Sequence, residues 1–182
     1  WAHQAAGKDG AIHGPMVTTL GSEPEWSQAR LHDLLAGQAL PPLQGEGWRS
    51  GVAEGPLLVG NLTVATHLLG TPHCPALTGR VLLLEDIGEA PYRIDRLLTH
   101  WRLSGALQQL AGLGFGRFEG CEAPSDDTRP GFELEQVLRE RSCDLGIPVV
   151  GALPFGHGQP NAAFPLGRPV RLDGSSGSLS VL

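Results

Sequence analysis

Residues 80–98 read "RVLLLEDIGEAPYRIDRLL", and what this stretch forms decides the fold. The apolar run Val81–Leu84 does not alternate with polar residues, so both faces of its strand should be covered, as in the centre of a parallel sheet. Beyond the acids, Pro91 suits a first helical turn, and Ile94, Leu97, Leu98 and Trp101 fall on one side. Residues 90–112 are therefore predicted as the longest helix. "GLGFGRF" follows as a strand, "FELEQVLRERSCDLG" (132–146) as a helix ended by Gly146, and "IPVVGALPFG" (147–156) as a strand. Strand, helix, strand, helix and strand across residues 80–155 make a run of right-handed β-α-β crossovers.

The flanks read differently. "AIHGPMVTTL" (11–20) reads as a strand with a turn at Gly14–Pro15. Residues 23–37 read as a helix with Pro24 in its first turn, a stripe of Trp26, Leu31, Leu34 and Leu35, and Gly37 as its stop. Residues 38–60, rich in Pro and Gly, read as short strands and turns. Residues 61–70 read as a helix capped by Asn61 and stopped by Gly70. Residues 173–179, "DGSSGSL", read as a hairpin turn between "RPVRL" and "SLSVL". The predicted class is α/β: a mainly parallel central sheet with helices, joined to a smaller antiparallel layer.

Composition narrows the function classes. The 182 residues are 41% hydrophobic and 18% charged, ordinary for a globular domain. A net charge of −6 and a pI near 5.6 argue against nucleic acid or an anionic membrane as partner. No stretch approaches the roughly 18–20 apolar residues of a membrane span. Cys74, Cys121 and Cys143 are odd in number and form no C-x-x-C, so reduced thiols are expected, not a disulfide framework or a zinc site. The chain opens on Trp1, not Met, which is expected of a trimmed or incomplete sequence.

Functional groups in an open parallel sheet gather at the carboxyl ends of its strands. Glu85 stands at such an end. Asp86 has a structural explanation as a turn residue, and Glu89 has one as an acid near the N-terminus of the long helix. His157 lies between two glycines in the loop "GALPFGHGQPNAAFPLG" (151–167), where backbone can approach a partner closely. His13, in "HGPM", is its rival; His32, His67 and His100 fall inside predicted helices. A His oriented by a Glu is two-thirds of a hydrolytic triad. None of Ser22, Ser27, Ser50, Ser104, Ser125 or Ser142 sits on a strand-to-helix elbow, and Ser175–Ser180 fall in the terminal hairpin, so the nucleophile is expected from outside this chain. "GLGFGRFEG" leaves a helix and enters a strand, the wrong order for a dinucleotide fingerprint.

"HGPM" (13–16), "GNL…THLLGTP" (60–72), "GRVLLLEDIGEAPYRIDRLLTHWRLSG" (79–105), "GFGRF" (114–118), "IPVVGALPFGHG" (147–158) and "FPLG…RLD" (164–173) occur in that order. Together they resemble the LD-carboxypeptidase family of serine peptidases. The resemblance implies a C-terminal domain of swivelling β/β/α type over residues 12–182, with residues 1–11 left from an inter-domain linker and an N-terminal domain that supplies the Ser. It places the triad acid at Glu85 and the triad base at His157. It also gives Asn61 a place in substrate binding, in a stretch where the family's G-G-N reads Val59–Gly60–Asn61. The implied reaction removes the terminal D-alanine from murein tetrapeptides in the bacterial cytoplasm, without metal or cofactor, by a homodimer. A chain without its Ser would be inactive alone; a non-catalytic murein-peptide-binding or assembly module and an immunity-type amide hydrolase are the alternatives.

Overall fold

The computed structural model describes residues 1–122, 131 and 133–182. Its elements in chain order are α1 (Ala2–Ala5), β1 (Ile12–His13), α2 (Glu25–Leu35), β2 (Leu43–Gln44), β3 (Glu46–Arg49), β4 (Val52–Asn61), α3 (Leu62–Leu68), β5 (Val81–Ile87), α4 (Pro91–Leu103), β6 (Gly112–Glu119), α5 (Leu134–Ser142), β7 (Val149–Gly151), β8 (Phe164–Pro165), β9 (Pro169–Asp173) and β10 (Ser178–Val181). Eight strands form one sheet in the order β2-β10-β9-β4-β5-β6-β7-β3, and β1 pairs with β8 in a small antiparallel sheet. The centre, β4 to β7, is parallel, and the flanking ladders are antiparallel.

The two edges of the sheet are neighbours in sequence. Leu43–Gln44 pairs with β10 at one edge, while Glu46–Arg49 pairs with β7 at the other. Gly45 alone joins them, so the sheet curls into a nearly closed barrel. A Cβ at Gly45 would lie 2.3 Å from the Gly151 carbonyl oxygen, so no larger residue fits the seam.

Curling gives the sheet an inside and an outside, and the central strands serve both. Val81 and Leu83 point into a barrel core with Leu57, Val59, Val150, Phe155 and Phe164. Leu82 and Leu84 point outward with Leu58, under Ile94, Leu98 and Trp101 of α4 and Val137 and Leu138 of α5. This is why residues 81–84 carry no polar alternation. Two ion pairs join α4 to the α5 region, Arg141 to Asp95 at 2.7 Å and Arg102 to Asp144 at 2.6 Å. No helix among the described residues is long and apolar enough to cross a membrane.

Several sequence expectations are corrected. Pairing in residues 11–20 stops after His13, because Pro15 has no N–H to donate. Gly14 packs against Ala163, and a 3₁₀ turn follows at Leu20–Ser22. The predicted stripe of α2 is not its buried face: Trp26 is 42% exposed, and Ser27 and Arg30 are buried instead. Arg30 donates to the carbonyls of Ala163 and Pro41 and lies over the Phe164 ring. Residues 52–61 form one ten-residue strand where only short strands were expected. The long helix ends at Leu103, and Gly105 (φ +74) turns the chain into a short 3₁₀ segment. The 132–146 helix is observed as Leu134–Ser142, with Phe132 outside the described residues.

Asp86, read as a turn residue, is a buried strand residue with a structural task. Its carboxylate accepts from Asn61 Nδ2 (2.8 Å), Thr63 N (3.0 Å) and Thr63 Oγ1 (2.7 Å), which holds the start of α3. Asp86→Ala leaves these donors without their acceptor and should lower unfolding free energy by about 2–4 kcal/mol. A denaturant midpoint at unchanged m-value measures it.

Candidate active site

Side-chain alternation along β5 continues past its apolar run. Val81 and Leu83 face the barrel interior, so Glu85 does too, at the carboxyl end of the strand; Asp86 takes the helix side with Leu82 and Leu84. Glu85 is 2% exposed. The loop after β7 crosses its mouth. Ala152 turns this loop with φ 52, and Leu153 N and Phe155 O bond to Phe115 O and Arg117 N of β6. Phe155 is driven into the barrel core, and the next residues arrive over Glu85.

There the carboxylate receives two donors from one residue. His157 Nδ1 lies 2.7 Å from Glu85 Oε2, and His157 N donates to the same oxygen at 3.1 Å. A carboxylate only accepts, so Nδ1 carries the hydrogen, and in the neutral ring it is Nε2 that keeps the lone pair. The His157 side chain is 46% exposed. Such a pair supplies what a general base needs: a fixed ring, a fixed tautomer and an outward nitrogen.

Gly156 makes the approach possible. Its φ is +113, and a Cβ would come within 2.9 Å of Glu85 Cβ and 3.0 Å of Arg117 O. The loop is also held from the far wall. Asn161 Oδ1 accepts from Gly156 N (3.1 Å), Asn161 N donates to Glu23 Oε2 (2.9 Å), and Ser27 Oγ donates to Asn161 O (2.9 Å). Ser27 is buried on α2 for this contact, not for an apolar one.

Glu23, Glu85, Gly156, His157 and Asn161 line a cleft of about 370 Å³ with His13, Gly14, Met16 and Ile87, within the usual size of ligand sites. His13, the rival histidine, shares the cleft with His157. Its ring stands edge-on to Phe155 at 6.1 Å, and its buried Nε2 has no partner among the described residues. Burial pushes its pKa below the ordinary value; Glu85 pulls it upward and His157 again downward. Ser22 also lines the cleft, but its Oγ donates to Thr19 O at 2.8 Å. Ser125 lies outside the described residues. Asn61 borders a different hollow, beside Trp1 and Val64. Its side chain caps α3 through Val64 N and donates to Asp86. Glu89 lies ahead of α4 and pairs with Arg93 at 3.4 Å. Among the described residues no group of three or more His, Cys, Asp or Glu is placed to hold a metal ion.

Sequence reasoning did not single out Glu23 or Asn161, and it named Ser27 only to set it aside as a nucleophile. The only trace was Asn161's place in the same Gly-rich loop as His157.

An acid-oriented imidazole at the carboxyl end of a central parallel strand is a hydrolase-like arrangement. Comparison with known proteins specifies the family. Residues 54–172 match the description of the LD-carboxypeptidase C-terminal domain, and the chain belongs to that family. A Synechocystis protein named as a putative carboxypeptidase is 52% identical over 172 residues, covering 94% of this chain and 56% of that protein. The murein tetrapeptide carboxypeptidase of Pseudomonas aeruginosa is 35% identical over 181 residues, covering 91% and 56%. The crystal structure of muramoyltetrapeptide carboxypeptidase from Oxalobacter formigenes superposes with a TM-score of 0.83 at 28% identity, covering 98% of this chain and 64% of that one. The chain thus spans 56% of the length of these two curated relatives.

Two outcomes follow from the geometry. Gly156→Ala must strain its backbone or push Glu85 away, and should lower unfolding free energy by about 1–3 kcal/mol, read by thermal or denaturant unfolding. For His13, the unfolded chain takes up a proton near pH 6.5 while the folded chain resists until lower pH. Stability is therefore kept above that value and falls as pH drops below it. His13→Asn should flatten this part of the profile, seen as a smaller difference between denaturant midpoints at pH 7.5 and pH 5.5.

Proposed function

We propose that this chain is the Glu/His-bearing part of a serine-type L,D-carboxypeptidase that removes the terminal D-alanine from murein tetrapeptides in the bacterial cytoplasm. The observation that carries the reading is the 2.7 Å contact between half-exposed His157 and buried Glu85 at the floor of an open cleft. Membership of the LD-carboxypeptidase family and the murein peptidase named among its relatives support this substrate class.

In this reading a Ser from the family's N-terminal half, beyond this chain, attacks the carbonyl carbon of the final peptide bond. His157 Nε2 takes the Ser proton as the O–C bond forms. It then returns the proton to the nitrogen of the departing D-alanine as the C–N bond breaks. Water then attacks the acyl carbon as it gives a proton to the same nitrogen, which passes that proton to the Ser oxygen as the acyl C–O bond breaks. Glu85 keeps Nδ1 protonated and stabilises the imidazolium between the two transfers. Alone, the chain holds the base and its orienting acid and is inactive.

The test uses the full-length polypeptide and measures D-alanine release from murein tetrapeptide. His157→Ala should abolish it. Glu85→Gln keeps shape but loses the charge, and should lower kcat by about 10⁴-fold. Near-normal turnover in His157→Ala ends the assignment. A greater loss in Glu89→Gln than in Glu85→Gln moves the triad acid to Glu89. Peptide binding without any turnover in the unaltered protein points to a binding module instead.

A further inference from the structure

Register between β5 and β6 slips by one residue beside the Glu85–His157 pair. Leu84 lies opposite Phe115 and Asp86 opposite Phe118, so Gly116 and Arg117 are both set against Glu85. An extra residue of this kind re-aims the side chains that follow it. Unbroken alternation after Leu113 and Phe115 would send Arg117 to the helix layer. Phe118 packs there instead, and Arg117 and Glu119 come round toward the His157 loop.

From this position Arg117 holds the loop on both sides of His157. Its backbone N–H donates to Phe155 O at 2.8 Å, and its guanidinium Nη1 donates to Gln159 O. Its own carbonyl oxygen would lie 3.0 Å from a Cβ at Gly156, and Nη1 would lie 3.0 Å from one at Gly158. The span so bracketed is pliable. His157 stands between two glycines with φ of +113 and +81, and glycine has the freest backbone of any residue. Residues 157–159 are exposed, so packing does little to hold them. Glu85 fixes the imidazole but not the path of the backbone beyond it. A charge-assisted bond to the Gln159 carbonyl closes the span at its far end. Arg117 lines not the cleft but a separate hollow with Trp48 and Leu138, behind the loop.

We propose that Arg117 is a positioning residue: by gripping Phe155 and Gln159 around the two-glycine hinge, it sets where His157 Nε2 stands for proton transfer. The chemistry rests on the carboxypeptidase reading above; the clamp rests on the loop contacts. Nε2 must reach both the Ser oxygen and the departing nitrogen, and a misplacement of about 1 Å costs on the order of a hundredfold in rate.

The test uses the full-length protein with its Arg117→Ala and Arg117→Lys variants. Its readouts are D-alanine release from murein tetrapeptide and hydrogen–deuterium exchange. Arg117→Ala keeps the backbone N–H and removes the guanidinium. It should lower kcat by about tenfold to a hundredfold and leave KM within about threefold, since Arg117 acts through the loop. Arg117→Lys keeps a charged donor and should recover part of the loss, as should methylguanidinium added to Arg117→Ala. Exchange at residues 156–158 should quicken by about tenfold or more in Arg117→Ala, while β5 stays as protected as before. Unchanged kcat overturns the proposal, and so does a loss that neither Lys nor methylguanidinium relieves. Faster exchange spreading through β5 overturns it too, because Arg117 would then support the sheet at large. If the unaltered protein releases no D-alanine, the carboxypeptidase reading fails and loop exchange alone decides the clamp. Quickening confined to residues 156–158 in Arg117→Ala keeps it, and equal exchange removes it.

Discussion

Glu85 ends a strand that is buried on both faces, and a carboxylate cannot stay charged in such a place without donors of its own. Both donors it has among the described residues come from His157, one from the ring and one from the backbone. The contact therefore orients an imidazole and, by the same bonds, fastens the loop after β7 over the barrel mouth. Gly156 follows from this, since only a residue without a Cβ lets the loop come so close.

Strand pleating sends the adjacent acid the other way. Asp86 faces the helices and gathers Asn61 and Thr63, which fixes where α3 begins and so how the outer layer lies on the sheet. Two neighbouring carboxylates thus serve two layers. One braces the scaffold, and the other carries the imidazole. Closure of the sheet at Gly45 completes the arrangement, because it gives Glu85 an enclosed interior to face.

The far wall of the cleft is built on polar contacts. α2 turns Ser27 and Arg30 toward the barrel and leaves Trp26 half-exposed. Ser27 and Glu23 grip Asn161, which in turn holds Gly156 beside His157. Arg30, held down to about 10 by burial, is satisfied by two carbonyls and the face of Phe164. The loop that carries His157 is thereby clamped from both sides, while the imidazole stays open to the cleft.

Much of this is legible in the order of the amino acids. The unbroken apolar run at 81–84 implies a strand covered twice, and Pro91, the stripe after it and the later strands imply the crossovers. The acid at the strand end and the histidine between glycines are both visible as candidates. Local signals suffice for the central parallel layer, because burial on both faces removes polar alternation and leaves a run that nothing else explains. Folding in three dimensions settles the rest. The joining of the two sheet edges across Gly45, the polar inner face of α2 and the meeting of Glu23, Asn161 and His157 depend on contacts between residues far apart in the chain, for which no local period or spacing exists.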